Sequence, residues 1–146
     1  MADTDTETPR FEVLLVDDDE VSCEGVVRSL RKNNIRCRVV IAEDGLEAMQ
    51  ILRGEHPSKA IHDPFLVLLD LNMPRMDGFE FLEAVRADPS LKETVVFVLT
   101  TSGRDTDRSR AYSENVAGYM IKSHVGPQFS LLASFLDKYG EAVQLP

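Results

Sequence analysis

Long hydrophobic runs are missing from this sequence: the longest, 13–16, 65–69 and 95–99, hold four or five residues, against the ~20 needed to cross a bilayer. A membrane-spanning helix is excluded. Cysteine is scarce. Cys23 and Cys37 offer neither a disulfide framework nor zinc-ligand spacing, which predicts reduced, packed thiols and a cytoplasmic location. Positive charge is also in short supply: 16 lysines and arginines face 25 aspartates and glutamates, leaving a net charge of −9. That charge repels a phosphate backbone and argues against DNA as a partner. No glycine-rich phosphate loop or nucleophile elbow is present. Residues 1–9 carry three acids and no basic residue, so they lack the charged and apolar parts of a secretory signal and read as a disordered, solvated lead-in. Against these absences stand 146 residues of ordinary globular composition, 43% apolar and 28% charged, enough for one domain over 10–146.

Five short β-branched or apolar runs recur, at 11–16, 37–42, 65–69, 94–99 and 118–121, each followed by a polar segment with helical spacing. The alternation predicts (βα)5: a doubly wound, open parallel sheet in order 2-1-3-4-5, the flavodoxin-like arrangement. Asp19 is a candidate N-cap for a first helix with Val21, Val26, Val27 and Leu30 as its apolar stripe. Asp44 precedes Leu46, Met49 and Leu52, and Asp77 precedes Phe79, Leu82 and Val85, with Pro89 limiting that helix. Leu132, Phe135, Leu136 and Tyr139 form one face of the last helix. The fourth helix, 104–113, offers only Ala111 and Tyr112 as anchors and should pack loosely. The polar 53–64 loop is long for such a unit; its His56, His62 and Asp63 read as solvated residues, lacking a fourth metal ligand. His124 reads as a surface histidine.

In open parallel sheets ligands gather beyond the carboxyl ends of the strands. There the first strand ends in Asp17, Asp18 and Asp19, the third in Asp70, the fourth in Thr100 and the fifth in Lys122. Taken alone, an acidic run is a solvated face. Asp70 changes the balance, because the fold brings three carboxylates together, and close carboxylates repel by ~4 kcal/mol per pair at an effective dielectric of 20. A cation answers that repulsion. Oxygen ligands without thiols or imidazoles suit Mg²⁺, and Asp17, Asp18, Asp70 and the backbone carbonyl of Asn72 could supply them. Lys122 and Thr100 add one positive charge and one hydroxyl donor, the complement of phosphoryl oxygens, and a carboxylate so placed can form an aspartyl phosphate.

The motifs Leu-Leu-Val-Asp-Asp-Asp (14–19), Leu-Leu-Asp-Leu-Asn-Met-Pro-Arg-Met-Asp-Gly (68–78), Leu-Thr-Thr-Ser (99–102) and Gly-Tyr-Met-Ile-Lys (118–122) resemble the receiver domains of two-component response regulators. The separations of 30 residues from Asp70 to Thr100 and 22 from Thr100 to Lys122 are similar to that family's. The resemblance implies that Asp70 accepts a phosphoryl group from a histidine kinase, that Asp17 and Asp18 hold Mg²⁺, and that Thr100 and Lys122 contact the phosphate. It also implies that Tyr119 is the aromatic partner of Thr100 in switching; otherwise Tyr119 is an ordinary half-buried strand residue. Ser123 stands where many receivers have proline, so the cis peptide common there does not carry over. Lys122-Ser123, Thr100-Thr101-Ser102, the 53–64 loop and the tail ending Gln144-Leu145-Pro146 resemble the regulators that partner bacterial phytochromes.

The reading is therefore a stand-alone phosphoacceptor switch that signals to an unknown downstream protein by phosphorylation-dependent contact. It is not a turnover enzyme, and only 24 residues follow Lys122, too few for a DNA-binding domain. A small phosphohydrolase working through aspartyl phosphate is the rival, but Asn72 stands where it needs a second acid. A phosphate-independent scaffold is the third reading. A homodimer through the fourth helix, fifth strand and last helix is expected, with the tail lying across the partner; a frayed terminus is the alternative.

Overall fold

A computed structural model describes residues 9–146, so the expected lead-in lies, Pro9 apart, outside the described residues. The chain alternates β1 (Phe11–Val16), α1 (Glu20–Lys32), β2 (Cys37–Ala42), α2 (Gly45–Leu52), β3 (Phe65–Leu69), α3 (Gly78–Ala87), β4 (Val96–Thr100), α4 (Asp105–Ser113), β5 (Gly118–Ile121) and α5 (Ser130–Ala142). The strands form one parallel sheet in the expected order, β2-β1-β3-β4-β5. One face packs on α2 and α3 through Phe81, Leu82, Val85 and Ile51. The other packs on α1 and α5 through Val26, Leu30, Leu132 and Leu136. Among the described residues no helix is long and apolar enough to cross a membrane.

Helix starts follow the expected caps. Asp19 accepts from the Val21 and Ser22 amides, Asp44 from the Glu47 amide, and Asp77 forms a reciprocal capping box with Glu80. Asp88, extended ahead of Pro89, ends α3 as proline sterics demand. β4 starts two residues later than expected, because the Thr94 amide and hydroxyl both donate to the Leu91 carbonyl in a turn. It ends on Thr100. The helix stripes were correct in period and partly wrong in phase. Val21 is 78% exposed while Cys23 and Ser29 are buried; at about 100° per residue, Val21 lies nearly opposite Cys23. Leu46 is likewise exposed, its place in the core taken by Ala48 and Ile51, and Phe135 and Tyr112 are exposed too. Ala111 is thus the one buried anchor of α4, which makes that helix looser than expected.

His56 is not a solvated residue. Its Nδ1 accepts from the Ser58 and Lys59 amides at 3.1 and 2.9 Å, and its Nε2 meets Glu47 Oε2 at 3.0 Å. The 53–64 loop is thereby tied to α2, which explains how so long a connection stays ordered. His62 and His124 are exposed as expected. The cis peptide among the described residues is Asp63-Pro64, and Lys122-Ser123 is trans. Both cysteines are free thiols. Beyond β5, the turn around Pro127–Phe129 docks on α1, where Ser29 Oγ donates to the Phe129 carbonyl at 2.9 Å. Gly25 sits mid-helix because a Cβ there would lie 2.8 Å from the Phe129 ring.

Arg86 closes the far end of the sheet. Its guanidinium donates to the carbonyls of Glu114, Lys92, Thr94 and Asn115 at 2.7–3.1 Å, joining α3 to the loops flanking β4 and β5. Hydrogen bonds to a charged group are worth about 1.5–3 kcal/mol, so Arg86→Ala should lower the unfolding free energy by about 2 kcal/mol, measured by urea titration. A loss below about 0.5 kcal/mol, the range of ordinary surface substitutions, would show that the clamp is idle.

The tail packs on its own chain. Leu145 is half-buried against the α1/α5 core, Val143 and Leu145 line a groove with Arg10, Phe11 and Pro64, and Pro146 lines the rim of another with Leu52, Ile61 and Phe65. Deleting residues 143–146 should therefore cost about 1 kcal/mol of unfolding free energy in dilute protein. Unchanged stability would return the tail to a frayed end or to a partner.

Candidate functional site

Sheet register sets the site. Val16 pairs with Leu69 and Ala42, Leu69 with Val98, and Thr100 with Ile121, so residues 17, 70, 100 and 122 leave the same edge together. The ladder continues into the site, with the Asp70 amide donating to the Val16 carbonyl and the Asp17 amide to the Ala42 carbonyl, both at 2.9 Å. α3 closes in from the side: a Cβ on Gly78 would lie 2.5 Å from the Asp70 carbonyl oxygen, and the Gly78 amide donates to the Leu71 carbonyl. Only glycine permits that approach.

The three aspartates after β1 divide the work. Asp17 is buried, accepting from the Asp19 amide at 2.9 Å and from Lys122 Nζ at 2.8 Å. Asp18 is exposed, and one carboxylate oxygen from each of Asp17, Asp18 and Asp70 lies within 4.8 Å of the others. Asp19 stays out of the cluster as the α1 cap and orients Ser22, whose hydroxyl donates to it at 2.9 Å and accepts from Lys122 Nζ at 3.1 Å. Ser22 is the residue that the sequence reading missed here. Its one signal was its position three residues after a capping aspartate.

Asp70 is 7% exposed and its two oxygens differ. Oδ1 accepts from the Leu71 amide and from the Thr100 hydroxyl, both at 2.8 Å. Oδ2 makes no hydrogen bond among the described residues and faces Lys122 Nζ at 3.8 Å. Lys122 thus bridges the two buried carboxylates and offsets the repulsion expected from the cluster. Burial, countered in part by Lys122 and the Asp19 amide and reinforced by the charge of Asp70, raises the Asp17 carboxyl above its ordinary pKa. Burial opposes the charge of Lys122 as well, yet the hydrogen bond and charge of Asp17 with the charge of Asp70 leave its pKa raised. Burial beside Asp17 pushes the Cys23 thiol up to about 12, so it stays a protonated packing group.

Thr100 is fully buried, and its hydroxyl already points at Asp70. Tyr119 is half-buried, its hydroxyl donating to the Ser102 carbonyl at 2.9 Å. Asn72 is exposed on the loop after Asp70. Asp17, Asp18, Asp70, Thr100 and Lys122 therefore converge, and Tyr119 reaches the site through Ser102. Three carboxylates with no imidazole or thiol donor at the cluster form a hard-oxygen set that fits a divalent cation such as Mg²⁺, and the lysine and hydroxyl beside them fit phosphoryl oxygens.

Comparison with known proteins agrees with this geometry. Residues 13–129 match the response regulator receiver domain. Response regulator Rcp1 of Synechocystis sp. is 33% identical over 144 residues, 98% of either chain. The crystal structure of the phosphorylated cyanobacterial phytochrome response regulator RcpA is similar with a TM-score of 0.80 at 31% identity, over 93% of this chain and 98% of that one. The Mn²⁺-bound form of Rcp1 gives 0.80 at 33% identity, covering 93% and 99%. The chain belongs to the response regulator receiver family, whose members signal in dependence on phosphorylation with a histidine kinase as partner.

Proposed function

We propose that this chain is a phosphoacceptor switch that takes its phosphoryl group onto Asp70 from a phytochrome-type histidine kinase. The observation that carries the site assignment is the asymmetry of Asp70: Oδ1 is held by two donors while Oδ2 is open beside Lys122. In the transfer, Oδ2 bonds to phosphorus as the phosphorus–nitrogen bond of the kinase phosphohistidine breaks, and the departing imidazole takes up a proton. Lys122 neutralises charge on the transferred group, and the Thr100 hydroxyl exchanges Asp70 Oδ1 for a phosphoryl oxygen. Asp17, Asp18, Asp70 and the backbone carbonyl of Asn72 would hold Mg²⁺, which supplies further positive charge to the phosphoryl oxygens. Tyr119 and Thr100 form the switch pair.

The likeness to regulators whose names include phytochrome supports a light-sensing kinase as donor. A groove of about 740 Å³ begins at Asp17 and Asp18 and runs between α1 and β2 past Glu24, Arg28 and Arg31. In this reading one receiver domain spans residues 10–146 in the cytoplasm, turns over no outside substrate, binds no DNA, and speaks to an unidentified downstream protein. A homodimer through α4, β5 and α5 is part of the proposal, supported by exposed Tyr112, Leu131 and Phe135 on those helices. The test is phosphotransfer from a purified phytochrome histidine kinase. Transfer faster by about tenfold than from a kinase of unrelated input is expected, and equal rates would remove the phytochrome assignment.

A further inference from the structure

α4 has almost nothing to hold it. Ala111 is its one buried residue, and Arg104 caps it without a side-chain hydrogen bond. Its last turns are pinned by the Arg110 guanidinium, 4.0 Å over the Phe79 ring and 3.9 Å from Glu83. Among the described residues its first turn has one side-chain hydrogen bond outside the helix, from Ser102 to Asp107. Both residues are half-buried, whereas Asp105, Thr106, Arg108 and Ser109 are exposed.

Ser102 uses every polar group it has. Its amide donates to Thr100 Oγ1 at 3.5 Å, its carbonyl accepts from Tyr119 OH at 2.9 Å, and its hydroxyl donates to Asp107 Oδ2 at 2.6 Å while accepting from the Arg104 amide at 3.3 Å. A chain of hydrogen bonds thus runs from Asp70 through Thr100 and Ser102 to the first turn of α4, with Tyr119 joined at Ser102. Tyr119 also senses the far end: burial raises its pKa against the hydrogen bond to Ser102, and the charge of Asp107 adds to the rise.

We infer that the Ser102–Asp107 hydrogen bond is the latch that carries the state of Asp70 to α4, with Asp107 as a positioning residue. The inference deepens the proposed function and rests on Asp70 as acceptor. The Thr100 hydroxyl has one proton to donate. When new phosphoryl oxygens take that proton's hydrogen bond, Thr100 shifts, the Ser102 amide follows it, and the Ser102 hydroxyl passes the displacement to Asp107. A helix with one buried anchor moves in response; a well-packed helix would resist.

The experiment is hydrogen exchange over residues 104–113, with and without Mg²⁺ and a small acyl-phosphate donor, with intact mass recorded on the same samples. Asp107→Ala should speed basal exchange there about five- to tenfold, Ser102→Ala at least as much because it also removes the acceptor of the Arg104 amide, and the double variant no further than Ser102→Ala, because the Ser102–Asp107 bond is lost in both. Asp107→Asn keeps an acceptor oxygen and should behave as wild type. Asp105→Asn removes a first-turn charge that pairs with Arg108 at 2.7 Å, within the helix itself, and should also leave exchange unchanged. On labelling, the wild-type segment should change its exchange while Asp107→Ala and Ser102→Ala, labelled equally, should not. An Asp107→Ala protein with wild-type basal exchange and response overturns the latch, as does equal loosening by Asp105→Asn, which would reduce Asp107 to a helix-end charge. Failure of wild type to gain one phosphoryl mass would instead overturn the acceptor reading, and the basal comparison would still decide the latch.

Discussion

Asp70→Asn will gain no phosphoryl group from a small phosphodonor in Mg²⁺, and with it will go any phosphate-dependent change in α4. The loss should be complete because no neighbouring carboxylate can replace Asp70. Asp17 is as deeply buried, but both of its oxygens are taken, Oδ1 by the Asp19 amide and Oδ2 by Lys122 at 2.8 Å. Asp18 is exposed and Asp19 is committed to capping α1. Asp70 alone combines an open oxygen with the Thr100 hydroxyl on its other oxygen. The amide keeps the shape and the Oδ1 acceptor while weakening the nucleophile beyond use, so the variant should fold. Unfolding curves measured in parallel check that. Stoichiometric labelling of Asp70→Asn at Asp17 or elsewhere would refute the assignment.

Lys122→Met should cost about 3 kcal/mol of unfolding free energy in chelator at neutral pH, because breaking a buried ion pair leaves an uncompensated charge. Lys122 and Asp17 side chains are 10% and 2% exposed, so solvent screens the pair little. The pH dependence has a definite sign. Asp17 has a folded pKa raised above its ordinary 3.8, so its ionisation costs stability as pH rises from 3.8 through the folded value. The raised pKa of Lys122 contributes stability present below its ordinary 10.5 and lost as pH rises through the folded value. Without the lysine the carboxylates ionise against each other. Variant and wild type should then differ least in acid, near about pH 4, and most near about pH 8. Mg²⁺ in excess should narrow the gap, since a cation at the cluster restores positive charge and stabilises the native state by binding it. A variant equal to wild type in chelator across this range would contradict the bridging role of Lys122.

What could be read in the sequence was whatever the parallel sheet guarantees. A strand that ends in an acid places that acid at the carboxyl edge, and Asp17, Asp70, Thr100 and Lys122 meet there because register is set by Val16, Leu69 and Ile121. Capping aspartates were legible for the same local reason. Periodicity, by contrast, gave the spacing of a helix stripe without its phase, so Val21 and Leu46 were placed in a core they do not enter. Contacts between residues distant in sequence were beyond reach. Arg86 binds the Glu114 and Asn115 carbonyls across 28 and 29 residues with nothing local to mark it, and Ser22 meets Lys122 across 100, where its place after the capping Asp19 does not point. The Thr100 hydroxyl needs no phosphoryl group to bring it to Asp70. It is already there, because a buried hydroxyl needs an acceptor and Asp70 Oδ1 is at hand. On the proposed reading, phosphorylation exchanges that acceptor for a phosphoryl oxygen.

The central claim is tested most directly by peptide mapping of the wild-type chain by mass spectrometry after incubation with Mg²⁺ and a small acyl-phosphate donor. The account predicts one phosphoryl group per chain, labile to acid, to base and to hydroxylamine as an acyl phosphate is, on the peptide containing Asp70 and absent when chelator replaces Mg²⁺. A phosphoryl group on any other side chain, or none in wild type under these conditions, would contradict it.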